Sequence, residues 1–332
     1  NTIMIWKDGR NNGTSDLFYQ ILDENGGEQL TANGESACLS EDLSGEEWGI
    51  SKARVKAENS VAYIAWQDQR NGWWKEDIYV QKINLDGSTA WGNGLPIATS
   101  DGKKAEPRLT TDGSGGVYIV WEDERNDDTE KDIFAQHINS DGSITHITNG
   151  KLICDAEYQQ FGPLVRNDGD GGAIIIWADQ RSGGSFGMYV QHLTSSGNHL
   201  ASNGKESFFG LATDAASESY EHGIVYMGND QSLVYWQDNR WGEPKIYGSK
   251  ISSSFDATSN FFYNSSINGQ QLTSLELGQK KPNAILAGNN IFLSFEVEQE
   301  GNQNYYLQLL NIDLSQNGNA IALASPATSK DG

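Results

Sequence analysis

Apolar and polar positions follow one another along this chain in short runs, and one run recurs at a near-constant distance. Its clearest copy is Val117-Tyr118-Ile119-Val120-Trp121, followed by the polar Glu122-Asp123-Glu124-Arg125. Four more copies end in Trp6-Lys7-Asp8-Gly9-Arg10, Trp66-Gln67-Asp68-Gln69-Arg70, Trp177-Ala178-Asp179-Gln180-Arg181 and Trp236-Gln237-Asp238-Asn239-Arg240. A worn sixth copy reads Ile291-Phe292-Leu293-Ser294-Phe295-Glu296. The aromatic markers Trp6, Trp66, Trp121, Trp177, Trp236 and Phe295 lie 55 to 60 residues apart. Self-similarity at a fixed period is the mark of a repeat architecture.

The unit between Pro107 and Ala156 shows what each repeat contains. Pro107–Thr111 predicts a short strand, turned by Asp112-Gly113-Ser114-Gly115-Gly116. Val117–Trp121 predicts a second strand, apolar throughout and therefore covered on both faces. Glu122–Lys131 reads as a polar loop. Asp132–Ile138 predicts a third strand, closed by the Asp-Gly turn Asn139-Ser140-Asp141-Gly142, and a weaker fourth covers about Ile144–Ile153. Four short strands at this period, named A to D from the centre outward, describe a β-propeller blade. A solenoid would need capping ends, whereas the copies here run to both termini.

The expected fold is therefore all-β: a single domain over residues 1–332, a six-bladed β-propeller with four antiparallel strands per blade. Blade one lacks its inner strand A in this chain. A strand following residue 332 would tie the ring there, and a seventh blade outside this piece is the alternative.

Within that fold the repeated residues read as structural. The Trp carries about 150–250 Å2 of ring surface, enough to fill the wedge between blades. The Asp and Arg at +2 and +4 stand where strand B leaves the sheet. A carboxylate there can accept turn N–H groups and pair with the guanidinium. Gln20, Gln81, Gln136, Gln191 and Gln308 repeat in strand C, with Ser249 in the fifth copy, and are expected to bond between strands. His137 and His192 follow that Gln, but Lys82 and Lys250 take the same place elsewhere, which argues against a metal or base role.

Composition agrees with short strands and tight turns: 37 glycines, 6 prolines and 10% aromatic residues. The net charge of −22 repels phosphate backbones and anionic lipid, so nucleic acid is excluded as a partner. No stretch approaches the length of a membrane span, so no direct membrane insertion is expected. Cys38 and Cys154 fall at similar points of repeats one and three and are expected to be buried free thiols. The chain begins at Asn1 without a signal peptide, as a piece of a longer polypeptide or larger assembly would. Asp86-Gly87, Asp141-Gly142 and Asp168-Gly169-Asp170-Gly171 resemble fragments of calcium loops but lack the ligand spacing and late Glu of a full loop. Hairpin turns account for them better. No cofactor is expected, and the acidity keeps calcium open as a ligand.

With Trp-x-Asp-x-Arg, then Asp77-Ile78-Tyr79-Val80-Gln81, then Asp86-Gly87 and Trp91-Gly92, the sequence resembles the bacterial β-propeller repeats of large secreted and cell-surface proteins. It is more loosely similar to propeller repeats of the TolB type. The resemblance covers all six units. It implies a propeller, an extracellular or cell-surface location with the signal peptide outside this chain, and interaction more than any one chemistry. Residues Asp86 to Trp91 approach the Asp-box of sialidases but misplace the Gly and Thr, so no sialidase residues are carried over.

Sites are expected in what is not repeated. The D–A and B–C loops of a propeller emerge on one face, and the extra aromatics cluster in them. Trp73, Trp74 and Trp241 lie in B–C loops; Trp48, Tyr158, Phe161 and Tyr220 lie in D–A loops. Flat rings among carboxylates and amides suit sugar stacking or a protein contact. The leading expectation is a non-catalytic extracellular module that binds a glycan or protein partner at the cell surface through these rings. The alternative is a carbohydrate-active enzyme, a glycosidase or polysaccharide lyase. Its acids would come from Glu46, Glu47, Asp155, Glu157, Glu218 and Glu221, with Tyr220 or His222 as a lyase base. A purely structural propeller in a larger surface or secretion assembly is the third reading. The sequence has no Ser-His-Asp signature, phosphate-binding Gly loop or zinc spacing.

Overall fold

The computed structural model describes residues 1–10, 16–39, 50–58, 61–72, 74–84, 86–126, 130–181, 183, 186–199, 209–212, 221–239, 242–252, 269–299 and 301–324. Among them every regular element is a β-strand, and no helix is long and apolar enough to cross a membrane. The strands form six antiparallel sheets in chain order. The first orders β1 (Thr2–Asp8), β2 (Asp16–Leu22) and β3 (Glu35–Cys38). The second orders β4 (Ile50–Glu58), β5 (Val61–Asp68), β6 (Asp77–Ile83) and β7 (Leu95–Ala98). The third orders β8 (Lys104–Thr111), β9 (Val117–Asp123), β10 (Asp132–Ile138) and β11 (Lys151–Cys154). The fourth orders β12 (Gln160–Asn167), β13 (Ala173–Asp179), β14 (Gly187–Leu193) and β15 (Phe209–Ala212). The fifth orders β16 (His222–Gly228), β17 (Gln231–Asp238), β18 (Lys245–Ser252) and β19 (Gln270–Gln271). The sixth orders β20 (Gln279–Ala287), β21 (Asn290–Gln299), β22 (Asn302–Asn311) and β23 (Ile321–Ala324).

In the third sheet each run of sequence folds into the strand its pattern specifies, with three differences. β8 starts at Lys104, three residues before the expected Pro107. β9 continues through Glu122 and Asp123, so the repeated Asp is the last residue of its strand and not part of the loop. The fourth strand of the unit is only Lys151–Cys154, preceded by an isolated bridge between Ile138 and Ile144. Asn149 and Gly150, at φ of 66° and 89°, break the pleat between bridge and strand.

The chain divides into two compact units, Asn1–Ile175 with Leu193–Asn198, and Ile176–His192 with His199–Gly332. In the first, Leu17, Tyr19, Ile50, Ile64, Trp66 and Ile83 form one buried cluster. Tyr63, Val80, Val117, Ile119, Trp121 and Ile138 form a second. In the second unit, Leu233, Ile246, Leu272, Ile291, Phe295 and Leu310 form a comparable core. Tyrosine hydroxyls stitch neighbouring sheets of the first unit together: Tyr63 donates to the Gly115 carbonyl at 2.5 Å and Tyr118 to that of Gly171 at 3.0 Å.

The repeated phrase is one hydrogen-bonded and stacked module. In the third sheet, Trp121 Nε1 donates to Asp123 Oδ2 at 2.8 Å. Asp123 Oδ1 accepts from the backbone N–H of Arg125 at 3.0 Å and from its Nε at 2.9 Å. The guanidinium lies 3.8 Å from the Phe134 ring centre and donates to the Asn149 carbonyl at 2.7 Å. Trp121 stacks on the same Phe134, and its outer edge meets Gly150. Trp66, Asp68, Arg70 and Tyr79 repeat the arrangement, and so do Trp177, Asp179, Arg181 and Tyr189. The strand-C glutamines cross-link as expected: Gln136 donates to the Ile147 carbonyl at 2.9 Å, and Gln81 reaches those of Gly92 and Ala37 at 2.7 and 3.2 Å. Cys38 and Cys154 are buried thiols that form no disulfide, and burial pushes the Cys38 thiol up to about 12.

Candidate functional site

The inner strands carry a feature that the repeat pattern did not announce. β4 pairs Ser51 with Gln67 and Arg54 with Ala65, so Lys52 and Ala53 together oppose Trp66. β8 does the same with Glu106 and Pro107 opposite Trp121, and β20 with Lys281 and Pro282 opposite Phe295. These are β-bulges, which bend a strand and re-aim the side chains at the bulge. Lys52, Glu106 and Lys281 take φ of 49°, 50° and 50°, where a side chain is strained, and Gly162 takes 57° on β12. The next residue is proline in three of the four, Pro107, Pro163 and Pro282.

Two of these left-handed positions in the first unit are held by the side chain following the preceding sheet's Trp. Glu106 N–H donates to Gln67 Oε1 at 3.1 Å, and Gly162 N–H to Glu122 Oε1 at 2.8 Å. Glu122 also receives Lys131 Nζ at 2.7 Å, and Lys131 sits 5.5 Å from the Phe161 ring centre. Gln67 and Gln69 donate to Glu76 at 3.0 and 3.1 Å. The bulges lie at the end of each sheet where strand A begins and strand B ends, the end from which the D–A and B–C loops leave.

At this end of the first unit one carboxylate meets three cations. Glu106 Oε1 is 2.6 Å from Lys52 Nζ; its Oε2 is 3.0 Å from Arg108 and 3.7 Å from Arg54. Burial raises the Glu106 pKa, but the ion pairs with Lys52 and Arg108 outweigh it and leave the carboxyl below its usual value. Burial, then the charge of Arg108, lowers the pKa of Arg54. All four side chains keep solvent contact, from 24% exposure at Glu106 to 51% at Lys52.

The D–A loops beside the bulges are built from within. In the third sheet, fully buried Lys104 donates to the carbonyls of Ser100, Asp101 (2.9 Å) and Gly102 (2.7 Å), with Asp77 at 4.0 Å. Gln160 takes the equivalent place, holding the carbonyls of Ala156 and Tyr158 at 3.1 and 2.9 Å. Tyr158 is thereby held at φ 64°, and the residue is 46% exposed.

The sequence-derived candidates divide as follows. Trp74 is 61% exposed, its ring against Gly72. Tyr158 is exposed, and Phe161 lies half-buried against Lys131. Asp155 and Glu157 share the loop between β11 and β12, Asp155 partly buried and Glu157 exposed. In the second unit, Glu221 Oε2 accepts the backbone N–H of Lys281. His222 opens β16 opposite Trp236. Trp48, Trp73, Trp241, Glu46, Glu47, Glu218 and Tyr220 lie outside the described residues.

In the Asp-Gly turns one carboxylate oxygen accepts from the turn's own backbone, and Asp112 Oδ2 lies 2.9 Å from His137 Nε2. Asp112 Oδ1 accepts from Ser114 and Gly116 N–H at 2.7 and 2.8 Å, and Asp168 Oδ1 from Asp170 and Gly172 at the same distances. Among the described residues no group of three or more His, Cys, Asp or Glu is arranged to hold a metal. A cavity of about 400 Å3 lies elsewhere in the first unit, lined by Ile3, Ile21, Val61, Ala62 and Ile83 with Glu58. Glu58 is six residues along β4 from Lys52, about 20 Å at strand rise, so this cavity is separate from the charged cluster.

Lys52, Arg54, Glu106 and Arg108 were missed by a reading centred on loop aromatics. The available signal was charge: the inner strands of the first unit carry Lys52, Arg54, Lys56, Lys104, Arg108 and Arg166 against Glu58 and Glu106. The whole chain has 23 basic and 45 acidic residues.

No family model matches this sequence, and no curated protein matches it. Solved structures do. A polysaccharide lyase, an ulvan lyase bound to a GlcA(1-4)Rha3S unit, overlaps with a TM-score of 0.56 at 9% identity, covering 98% of this chain and 81% of that one. An α-L-arabinofuranosidase from Podospora anserina in complex with cellotriose overlaps at 0.38 and 11% identity, covering 79% and 88%. An endo-arabinase from Bacteroides thetaiotaomicron overlaps at 0.40 and 13%, covering 85% and 95%. At these identities the likeness to the lyase concerns the fold alone, a β-propeller-like arrangement of antiparallel sheets, and the other two overlaps are too loose to bear on it.

Proposed function

We propose that this chain is a carbohydrate-active β-propeller enzyme working outside the cell or at its surface. In this reading the six sheets are the six blades of one domain, the three-stranded first sheet being the blade without an inner strand. The sugar site lies at the loop end of the inner strands. The observation that carries the reading is the composition of that end in the first unit: half-exposed charged side chains on bulged inner strands, and the exposed residues Tyr158 and Trp74 in loops that leave the sheets at the same end. Rings and polar groups together are what sugar faces and hydroxyls require. A polysaccharide lyase sharing the fold over nearly the whole chain supports it. In the first unit the catalytic acid or base would be drawn from Asp155 and Glu157.

The test is a polysaccharide panel scored for reducing-end release and for the ultraviolet absorption of unsaturated ends. Release from at least one polymer is expected. Binding without release would return the chain to the second reading, a non-catalytic glycan-binding module, which the exposure of Trp74 and Tyr158 favours. Neither binding nor release would remove the carbohydrate reading and leave a protein partner.

A further inference from the structure

Three cations gathered on one carboxylate exceed what a structural ion pair needs. Among the described residues, Lys281 at the equivalent bulge pairs with the single carboxylate Glu296, at 2.8 Å. Around Glu106 the same geometry brings in Lys52, Arg54 and Arg108, and the two arginines stand close enough for one charge to disfavour the other. The backbone does not demand these side chains, because Gly162, which precedes Pro163 on β12 as Glu106 precedes Pro107 on β8, takes the same left-handed φ without the strain that Lys52 and Glu106 carry. The cluster is partly open to solvent. Its three cations exceed its one carboxylate on a chain whose net charge is −22.

We infer that Lys52, Arg54 and Arg108 form a binding subsite for the anionic group of an acidic glycan, a sugar carboxylate or sulfate ester. This rests on the carbohydrate reading above and names its substrate class. Guanidinium groups present paired N–H donors that match the two oxygens of a carboxylate or sulfate. Glu106 acts as the resident counter-ion: it orients the cations in the free protein and leaves them with excess charge for a ligand. Its carboxylate occupies the position of the group the site would recognise.

The test uses calorimetric binding of the full chain to three oligosaccharide families of equal length: a polyuronate, a sulfated neutral polymer and an uncharged one. The expected result is preference for one or both acidic families, weakening as salt rises. R54Q/R108Q should lose about 10–100-fold in affinity for the acidic ligand, the range for hydrogen bonds between charged groups. Its loss for the uncharged glycan should be several times smaller than for the acidic one. Glu106→Gln should instead tighten acidic binding severalfold by removing the competing carboxylate, a gain that a misfolded variant does not produce. Circular dichroism melting of each variant separates loss of fold from loss of site. The polyuronate and sulfated arms decide between carboxylate and sulfate. Equal affinity for charged and uncharged sugars, or acidic binding indifferent to both substitutions, overturns the subsite while the carbohydrate reading stands. Binding of no glycan of any family removes both.

Discussion

Trp121 Nε1 lies 2.8 Å from Asp123 Oδ2, two residues further along the same strand. Because successive strand residues point to opposite faces, positions i and i+2 share a face, and the indole N–H meets the carboxylate without any loop rearrangement. The other oxygen, Oδ1, takes two donors from Arg125, whose guanidinium covers Phe134. One short phrase of sequence therefore satisfies its own buried polar groups and packs one edge of its sheet.

Asp123→Asn keeps an acceptor for the indole but removes the charge opposite Arg125. In this fully buried setting the expected loss is about 2–4 kcal/mol in urea unfolding. Asp8→Asn makes the same change where the Asp and Arg are more exposed and should cost clearly less than Asp123→Asn. Equal losses at both sites would mean that burial does not set the strength of the module.

A Cβ at Gly150 would stand 2.3 Å from the Trp121 ring, at φ 89°. Gly150→Ala should lower stability by about 2–4 kcal/mol through combined overpacking and left-handed strain. Gly318 has φ 80° but nothing within 4 Å, so Gly318→Ala isolates the strain and should cost about 1–2 kcal/mol. Thermal melts of the two variants side by side give the packing contribution by difference.

Burial pushes the Asp132 carboxyl up to about 6, against the pull of the Asn126 amide. A carboxyl with a raised folded pKa binds its proton more tightly when folded. Its effect is absent below about pH 4, where folded and unfolded states are both protonated, and stability falls as pH rises toward 6. The expected loss over that window is on the order of 1–3 kcal/mol. Asp132→Asn should flatten it in denaturant titrations at pH 4, 5, 6 and 7; an unchanged slope would assign the dependence to another group.

Tyr158 holds a left-handed backbone and is exposed. Tyr158→Gly relieves the strain, so stability should hold or rise by up to about 1 kcal/mol. If the ring stacks on sugar, affinity for the best glycan should drop about tenfold or more. A variant that is less stable with intact binding would make the ring a packing residue.

Much of this was legible in one dimension. The 55-to-60-residue period, the apolar Val117–Trp121 run and the Asp-Gly turns required an all-β repeat, because a strand's alternation and a turn's special φ are written in neighbouring residues. The structural role of Trp, Asp and Arg followed from their repetition. The carboxylate's second partner, the indole N–H, was not foreseen, although it lies only two residues away.

The charged cluster could not be read in the same way. Lys52 and Arg54 lie more than fifty residues from Glu106 and Arg108, and only the pairing of successive sheets brings them to one place. The bulges opposite Trp66 and Trp121 are register events, fixed by how two strands pair and not by either strand alone. The sequence by itself determined which residues build each sheet, since that rests on local period and turn chemistry. Which inner-strand side chains meet was decided by the tertiary structure, because their contacts depend on distances across sheets that no local pattern encodes.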